Sequence, residues 1–263
     1  MIAMQLIGTA KRMLKEHRSS RNLIIRLGVS CFYVLWNAAQ TTRKMFVDSN
    51  FRSIFLLRLL NSKNVHQTTS LTCINRYPTI FLACQEYFNG KEDLKILSYG
   101  CSTGEEVLTL RQFFPNAQII GTDINKRSLE LCKKLPVDDN ITFIYSSPRE
   151  IEKHGPYDAI FCMPVLQRNP HEVAAKGISN LKKIYSFEKF ETQIMALDKL
   201  LNQKGLLIVH YTQYSLCDTR VASKYGVLGD YNQNDYLSPV FDKNSNLVKN
   251  PPSQNSIFIK SQK

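Results

Sequence analysis

Residues Leu94–Asp123 read LKILSYGCSTGEEVLTLRQFFPNAQIIGTD, and this stretch predicts the fold of the chain. It contains an apolar strand, a turn of small residues, a helix and a second apolar strand that ends on Asp123: Lys95–Tyr99, Gly100–Gly104, Glu105–Phe114 and Gln118–Thr122. This order is a βαβ unit, whose parallel strands are joined by a right-handed crossover. Ligands of such sheets bind beyond the carboxyl ends of the strands. We therefore expect a ligand-binding site that is formed by the turn and by Asp123.

The residues of the turn restrict the class of ligand. An acid at the end of the second strand can accept hydrogen bonds from both hydroxyls of a ribose, and N–H groups at the helix start point at the ligand. The turn lacks the G-x-G-x-x-G pattern that a dinucleotide requires. Glu105 and Glu106 would repel a pyrophosphate, whereas they suit an amino group, unless they only complement the helix dipole. Together with Asp123, they favour S-adenosylmethionine (SAM) over NAD.

The same residues carry a family resemblance. The stretch resembles motif I of class I SAM-dependent methyltransferases, and GCSTGEE is similar to the loop of the chemotaxis-receptor glutamate methyltransferases, the CheR-like group. Three further segments agree with that group in order and spacing: Asn75–Pro78, Tyr157–Cys162 and Ser256–Lys260. The resemblance runs from Val65 to the C-terminus. It implies an α/β fold with a Rossmann-like sheet, mostly parallel and with an antiparallel last strand.

The resemblance also implies roles for individual residues. Asp123 would bind the ribose, Glu105 the methionine amino group and Arg76 the methionine carboxylate. The other expected cofactor contacts are Gly100, Cys101, Ser102, Gly104, Ile124, Ser147, Met163 and Pro164. Ser147 follows the third strand, where the adenine is expected, although serine is equally a turn residue.

The region that would face the acceptor departs from the CheR-like pattern. Pro164 stands where that group has an asparagine, and Arg168 stands where it has a tyrosine. His210 and Tyr211, at the end of the fifth strand, are the candidate catalytic bases, but a lone histidine there is more often structural. A base is optional for nitrogen or carboxylate acceptors.

Charge divides the chain into two predicted parts, a basic helical N-terminal region (1–64) and a methyltransferase domain (65–263). Residues 1–63 hold eleven Lys and Arg against two acids, within a net charge of +12 for the whole chain. An acidic protein partner, an anionic membrane surface or nucleic acid would each suit this excess, as would a solvated face with no partner.

The most apolar stretch is Leu23–Ala39, and it leaves three interpretations open. It can be a helix packed on the domain or on a partner, an interfacial membrane helix, or a true span, although seventeen residues with Arg26 inside are short for a span. Residues 1–20 predict a short amphipathic helix without a secretory cleavage pattern. The seven scattered cysteines indicate a reducing, cytoplasmic compartment. The alternative is a cytoplasmic protein that is peripherally attached to a membrane.

Hydrophobic periodicity places the remaining elements. We expect helices at Asp48–Leu60, Pro78–Phe88, Asn125–Leu135 and Phe187–Leu201, and strands at Ile141–Tyr145, Asp158–Met163, Leu206–Tyr211 and Ile257–Ile259. Gln203–Gly205 reads as a helix end, Asn61–Ser70 as a polar linker, Tyr211–Tyr236 as a tyrosine-rich loop region and Phe241–Val248 as a hairpin.

Three functions compete on the sequence. The first is methyl transfer from SAM to a small molecule or a protein side chain. The second is a non-catalytic, methyltransferase-like interaction module. The third, less favoured, is methylation of nucleic acid, since no Asn/Asp-Pro-Pro-aromatic motif follows the fourth strand. The five histidines have no metal-ligand spacing, so no metal is expected.

Overall fold

The computed structural model describes residues 22–62, 64–69 and 72–261. The chain divides into two compact units, Met1–Leu56 and Leu57–Lys263. This boundary falls inside a helix, whereas charge and composition placed it at the end of residue 64. The helix predicted for residues 1–20 lies outside the described residues.

The first unit is built on a long helix, α1 (Leu23–Val47). Asn22 caps it by accepting a 3.0 Å hydrogen bond from the N–H of Ile24. A second helix, α2 (Ser49–Leu60), follows. Asp48 caps it, because its Oδ1 accepts hydrogen bonds from the N–H groups of Asn50 and Phe51 in the first turn of α2. Helix α1 therefore extends eight residues beyond Ala39, where the apolar stretch of the sequence ends.

A seven-stranded sheet forms the second unit, in the order β3-β2-β1-β4-β5-β7-β6. Its strands are β1 (Lys95–Tyr99), β2 (Gln118–Asp123), β3 (Ile141–Tyr145), β4 (Tyr157–Cys162), β5 (Leu201–Val209), β6 (Tyr225–Val227) and β7 (Ile257–Lys260). The first five strands are parallel, and β7 runs antiparallel to both β5 and β6. The predicted Rossmann-like sheet with an antiparallel last strand is confirmed.

Helices cover both faces of this sheet. They are α3 (Pro78–Tyr87), α4 (Glu105–Phe113), α5 (Lys126–Cys132), α6 (Pro148–His154), α7 (Pro170–Ala175) and α8 (Phe187–Leu200). Successive residues of a strand point to opposite faces, so Ile96 and Leu97 enter two separate apolar clusters. The central strands are buried on both sides, which explains why they read as continuous apolar runs rather than as alternating ones.

The prediction of a helix end at Gln203–Gly205 is wrong. Helix α8 already ends at Leu200, and the next residues belong to β5. The register of β5 against β4 shifts there, because Leu201 pairs with Tyr157 but Leu206 pairs with Ala159. A Cβ on Gly205 would lie 2.8 Å from the carbonyl oxygen of Asn202, so the glycine serves a bulge within the strand.

Two segments expected to be irregular are more ordered than predicted. The tyrosine-rich region contains β6, and residues 61–62 and 64–69 belong to the second unit rather than to a free linker. There Lys189 Nζ donates to the carbonyl oxygens of Ser62 (2.9 Å) and Val65 (2.8 Å), while His66 Nδ1 lies 2.7 Å from the Tyr185 hydroxyl. The hairpin predicted after residue 240 is confirmed by an antiparallel bridge between Phe241 and Leu247.

Candidate functional site

Sequence-predicted residues meet at the carboxyl edge of the sheet. Strands β1, β2, β4 and β5 are parallel, so Gly100, Asp123, Met163 and His210 follow strand ends at one edge. The chain reverses between β1 and β4 in the strand order, because β2 and β3 lie on one side of β1 while β4 and β5 lie on the other. A crevice at such a switch point is the usual ligand position in open α/β sheets.

The loop after β1 requires its glycines. Gly100 has φ 80° and Gly104 has φ 99°, the left-handed region that favours glycine. A Cβ on Gly100 would lie 2.6 Å from Cγ2 of Val165, so the loop and the segment after β4 are in direct contact. The N–H groups of Gly100 and Cys101 both donate to the carbonyl oxygen of Thr122, at 2.7 and 2.9 Å. These bonds hold the loop against the end of β2.

Asp123 is oriented by backbone donors on both sides. Its Oδ2 accepts from the N–H of Ser102 (2.9 Å), and its Oδ1 accepts from the N–H of Asn125 (2.6 Å). Burial raises the pKa of Asp123 to about 6, against the lowering effect of these two hydrogen bonds. A carboxylate has about four lone-pair positions, so two remain to accept hydroxyl groups of a ligand.

The two acids that open α4 have different surroundings. Glu105 is half-buried beside the loop, and its two carboxylate oxygens share the single hydrogen of the Thr103 hydroxyl, at 2.9 and 2.7 Å. Glu106 accepts from the Ser98 hydroxyl at 2.7 Å, and burial raises its pKa to about 8. At neutral pH Glu105 is therefore the better candidate to meet a cationic amino group.

Arg76 comes to the same edge from the turn before α3. Its guanidinium lies 5.2 Å from the ring centroid of Tyr77. Its positive charge acts to lower the pKa of Glu106 and of His210, so it lies within electrostatic range of the start of α4 and of the end of β5. The turn is anchored by Asn75, whose N–H donates to the Thr109 hydroxyl on α4 at 2.9 Å.

Four rings at the end of β5 form what we call the aromatic cluster: Tyr77, His210, Tyr211 and Tyr236. The rings of His210 and Tyr211 stack at 3.9 Å, and Tyr211 stacks on Tyr236 at 4.5 Å, between centroids. Tyr77 meets His210 edge-on at 4.8 Å. Within the part of the chain that the structure describes, the buried hydroxyl oxygen of Tyr77 has no hydrogen-bond partner, whereas that of Tyr236 interacts with the side chain of Ser238. Buried hydroxyls normally have a partner, so the Tyr77 hydroxyl is available to a ligand.

Neither of the two candidate bases, His210 and Tyr211, is a strong base at neutral pH. The Nδ1 of His210 lies 2.8 Å from the Ser256 hydroxyl, and burial lowers the pKa of His210 to about 4. Burial and the hydrogen bond to Asp235 raise the pKa of Tyr211 to about 12. At neutral pH His210 is thus neutral and Tyr211 protonated. The catalytic roles of both residues stay predictions.

The remaining predicted cofactor contacts have structural contacts of their own. Ser147 caps α6, and its hydroxyl oxygen accepts from the N–H of Glu150 at 3.3 Å. The carbonyl oxygen of Pro164 accepts from Gln67 Nε2 at 3.1 Å, and Met163 is buried in the core. Ile124 is half-buried directly after Asp123. These contacts leave their predicted roles toward the cofactor untested.

Sequence reasoning missed two residues that shape this edge. Val165 packs on Gly100, and the fully buried Gln213 accepts from the N–H of Arg168 at 2.8 Å through its Oε1. Both hold the segment after β4 in place. Nothing in the local pattern distinguishes them from ordinary loop residues, because their partners are distant in the sequence.

Comparison with known proteins agrees with this architecture. The sequence model of a family described as "Methyltransferase domain" matches residues 90–245, more than half of the chain. Among curated proteins, the chain is 28% identical to the uncharacterized protein RP028 of Rickettsia prowazekii over 124 residues, which is 46% of this chain and 43% of that protein. It is 31% identical over 81 residues to a malonyl-[acyl-carrier protein] O-methyltransferase of Priestia megaterium, covering 31% of this chain and 29% of that protein. The chain thus spans less than half the length of these relatives.

Solved structures of methyltransferases are also similar. PKMT2 from Rickettsia typhi, in complex with AdoHcy, is 25% identical with a TM-score of 0.35, covering 49% of this chain and 24% of that one. The plantazolicin methyltransferase BpumL, in complex with a pentazolic desmethylPZN analog and SAH, is 18% identical with a TM-score of 0.37, covering 64% of this chain and 55% of that one. The sheet order, the glycine loop and the family match over residues 90–245 lead to one conclusion: this chain belongs to the methyltransferase-domain family.

Proposed function

We propose that this chain is a SAM-dependent methyltransferase that acts on a small molecule or a protein side chain. The observation that carries the proposal is Asp123 at the end of β2, where N–H groups of Ser102 and Asn125 orient its carboxylate beside the glycine loop. Family membership and the seven-stranded sheet support it.

The residues present fit SAM. Asp123 has lone pairs left for the ribose hydroxyls, Glu105 is a half-buried acid for the amino group, and Arg76 supplies a positive charge for the carboxylate. Ser147 lies at the end of β3, on the adenine side, and its hydroxyl can donate while its oxygen caps α6. Gly100, Cys101, Ser102 and Gly104 would line the cofactor with backbone, and Ile124, Met163 and Pro164 would flank it.

When bound, SAM supplies a methyl group on a sulfonium, ready for in-line displacement. The contribution of this chain is then mainly to bind and to orient, and positioning alone can account for about 7–11 kcal/mol of a barrier. The aromatic cluster would stand on the acceptor side, with the Tyr77 hydroxyl available to bind a polar group. Since His210 is a weak base, an acceptor that need not lose a proton before it attacks, such as a carboxylate or a neutral amine, fits best.

The likeness to the CheR-like group supports the cofactor loop more than it supports the acceptor. Arg168 stands where that group has a tyrosine, and its guanidinium donates to the carbonyl oxygen of His66 at 3.3 Å. This contact gives the Arg168 side chain a structural role, so the departure from the tyrosine argues against a receptor glutamate, though not against other carboxylates, as the acceptor. The same departure favours a second candidate function, a non-catalytic interaction module that keeps the fold.

We further propose a cytoplasmic location. Four cysteines, Cys84, Cys101, Cys132 and Cys162, are buried as free thiols, which suits a reducing compartment. The basic N-terminal region would meet an acidic partner or an anionic membrane surface. Nucleic acid is the third choice, and a steep fall of RNA binding with rising salt would be its signature.

Calorimetric titration with SAM and with S-adenosylhomocysteine tests the proposal. Wild-type protein should bind both, and Asp123→Ala should bind about a hundredfold more weakly, because two charge-assisted hydrogen bonds to the ribose are lost. Asp139→Ala is the matched control, since Asp139 is exposed in the loop before β3. Absence of binding to folded wild-type protein would overturn the enzyme proposal.

Transfer itself needs a second assay. SAM carrying a labelled methyl group should label a small molecule or a protein in an extract of the native cell, in a reaction that Asp123→Ala abolishes. Binding of SAM without any transfer, together with a cellular role that survives Asp123→Ala, would favour the interaction module instead.

A further inference from the structure

Helix α1 carries a continuous polar stripe. Its polar members recur alternately four and three residues apart: Arg26, Ser30, Tyr33, Asn37, Gln40 and Lys44. Residues at these spacings are neighbours on one face of a helix. The stripe runs almost the whole length of α1, so this helix has a defined polar side.

The opposite side of α1 is apolar and exposed. Ile24, Leu35 and Phe46, which project away from the stripe, are 79%, 69% and 80% exposed. Leu27 and Val34 flank them and are also more than half exposed. Contiguous apolar surface of this kind marks an interaction site rather than ordinary solvent-facing surface.

The charge of α1 has a single sign. Arg26, Arg43 and Lys44 are its charged residues, and it contains no acid. The sequence before it, residues 1–21, adds five cations against one acid. A partner that covers α1 must therefore be apolar in depth and anionic at its surface, which is the chemistry of a bilayer that contains anionic lipid.

Length argues for the surface of the bilayer rather than for a span. By length and composition α1 meets the criteria for a membrane-crossing helix. However, its uncharged part is residues 27–42, which extends about 24 Å at 1.5 Å per residue, less than the roughly 30 Å of hydrocarbon. Asn37 and Gln40 would lie within that hydrocarbon. With α1 parallel to the surface, the stripe, in which Tyr33 and Gln40 are half-buried, points away from the hydrocarbon instead.

We propose that α1 is an interfacial helix that binds the surface of an anionic lipid bilayer. Its apolar side enters the boundary between headgroups and acyl chains, its stripe points away from the hydrocarbon, and Arg43, which projects between the two sides, reaches the lipid phosphates. This inference stands apart from the proposed enzyme activity, because it rests on a helix of the first unit alone.

Co-sedimentation of the full chain with vesicles tests the proposal. Binding to vesicles of phosphatidylcholine with phosphatidylserine should exceed binding to phosphatidylcholine alone by about tenfold or more at low salt, and should fall as salt screens the cations. The double variant Ile24→Asn/Leu35→Asn, on the apolar side, should lower the partition coefficient by about tenfold or more, because two apolar side chains are lost from the boundary.

The matched control is Ser30→Asn/Gln40→Asn, which changes two stripe residues and should bind like the wild type. Circular dichroism of both variants establishes that helix content is kept. Three outcomes would overturn the proposal: no binding of the wild type to either vesicle, equal loss in both double variants, or resistance of the native chain to alkaline extraction from membranes, which would indicate a span.

Discussion

The hydroxyl of Ser98 donates a 2.7 Å hydrogen bond to the carboxyl group of Glu106, which joins β1 to the first turn of α4 beneath the glycine loop. Burial raises the pKa of Glu106 to about 8, while this hydrogen bond and the charge of Arg76 oppose the shift. Most of the molecules at pH 7 therefore carry a neutral acid at this position.

Glu106 should make the stability of the protein depend on pH in a predictable direction. Its folded pKa lies above the usual value of 4.5, so the folded state binds more protons between pH 4.5 and 8. The contribution is present in full below pH 4.5 and is lost as pH rises through about 8. For one carboxyl group the slope has an upper limit of about 1.4 kcal/mol per pH unit.

Urea unfolding at pH 6.5, 7.0, 7.5 and 8.0 measures this slope. Glu106→Gln keeps an acceptor for Ser98 and removes the titration, so its free energy of unfolding should vary less with pH than that of the wild type. Glu105→Gln, on the neighbouring half-buried acid, should keep the wild-type slope. An unchanged slope in Glu106→Gln would show that another group titrates.

Affinity for S-adenosylhomocysteine should fall in acid. The raised pKa of Asp123, about 6, means that its carboxyl group takes up a proton below that pH and loses a lone pair that would accept from the ribose. We expect the affinity, measured by calorimetry from pH 7.5 to 5.0, to drop by up to about tenfold per pH unit below pH 6. Thermal unfolding over the same range separates this loss from denaturation. A flat profile would argue that Asp123 does not contact the ligand.

Gly100→Ala should destabilise the protein more than Gly177→Ala does, because the space around Gly177 is open. Both Gly100 (φ 80°) and Gly177 (φ 58°) are left-handed, which costs an alanine about 1–2 kcal/mol. Only at Gly100 does the new Cβ meet a side chain, Val165, whereas nothing lies within 4 Å of it at Gly177. Gly177→Ala is therefore the control in denaturant unfolding.

A double variant locates the cause of that difference. Val165→Ala removes the methyl groups that the new Cβ at position 100 would meet, so Gly100→Ala should cost less stability in its presence than in the wild type. Strictly additive free energies would indicate that the strain comes from the backbone alone.

Lys189 should control the exposure of the segment that precedes the methyltransferase fold. Its ammonium group donates to the carbonyl oxygens of Ser62 and Val65, and hydrogen bonds of charged groups are worth about 1.5–3 kcal/mol each. Lys189→Met should speed hydrogen exchange across residues 61–69 by tenfold or more, which corresponds to a fall of about 1.4 kcal/mol in the free energy of opening. Lys182→Met, at an exposed position before α8, should leave this exchange unchanged.

Local patterns predicted the fold because its defining unit is local. Strand, glycine turn, helix and terminal acid all lie within Leu94–Asp123, and the later parallel strands are recognisable as continuous apolar runs because both faces of the sheet are covered. The interpretation of Gly205 failed for a physical reason. A glycine after a helix pattern suits a helix end, but its close approach to the carbonyl oxygen of Asp158 becomes visible only once β4 and β5 are paired.

The different surroundings of the two acids that open α4 could likewise not be predicted from the sequence. Glu105 and Glu106 are adjacent, and successive residues project about 100° apart on a helix. Which one turns toward Ser98 depends on the rotation of α4 against β1, and that rotation is set by apolar contacts of Val107 and Leu110 in the core. The contacts of Arg76 and His210 depend on tertiary pairing in the same way.

The strand order has a consequence for how the chain is made. Strand β7 lies between β5 and β6, although both precede it in the sequence. Until Ile257–Lys260 has left the ribosome, the apolar residues Leu206, Leu207 and Ile208 form an open sheet edge, the kind of edge that pairs with other chains. Strand β7 is therefore the last of the seven strands to join this sheet during synthesis, and a nascent chain stalled before residue 257 should be a client for chaperones.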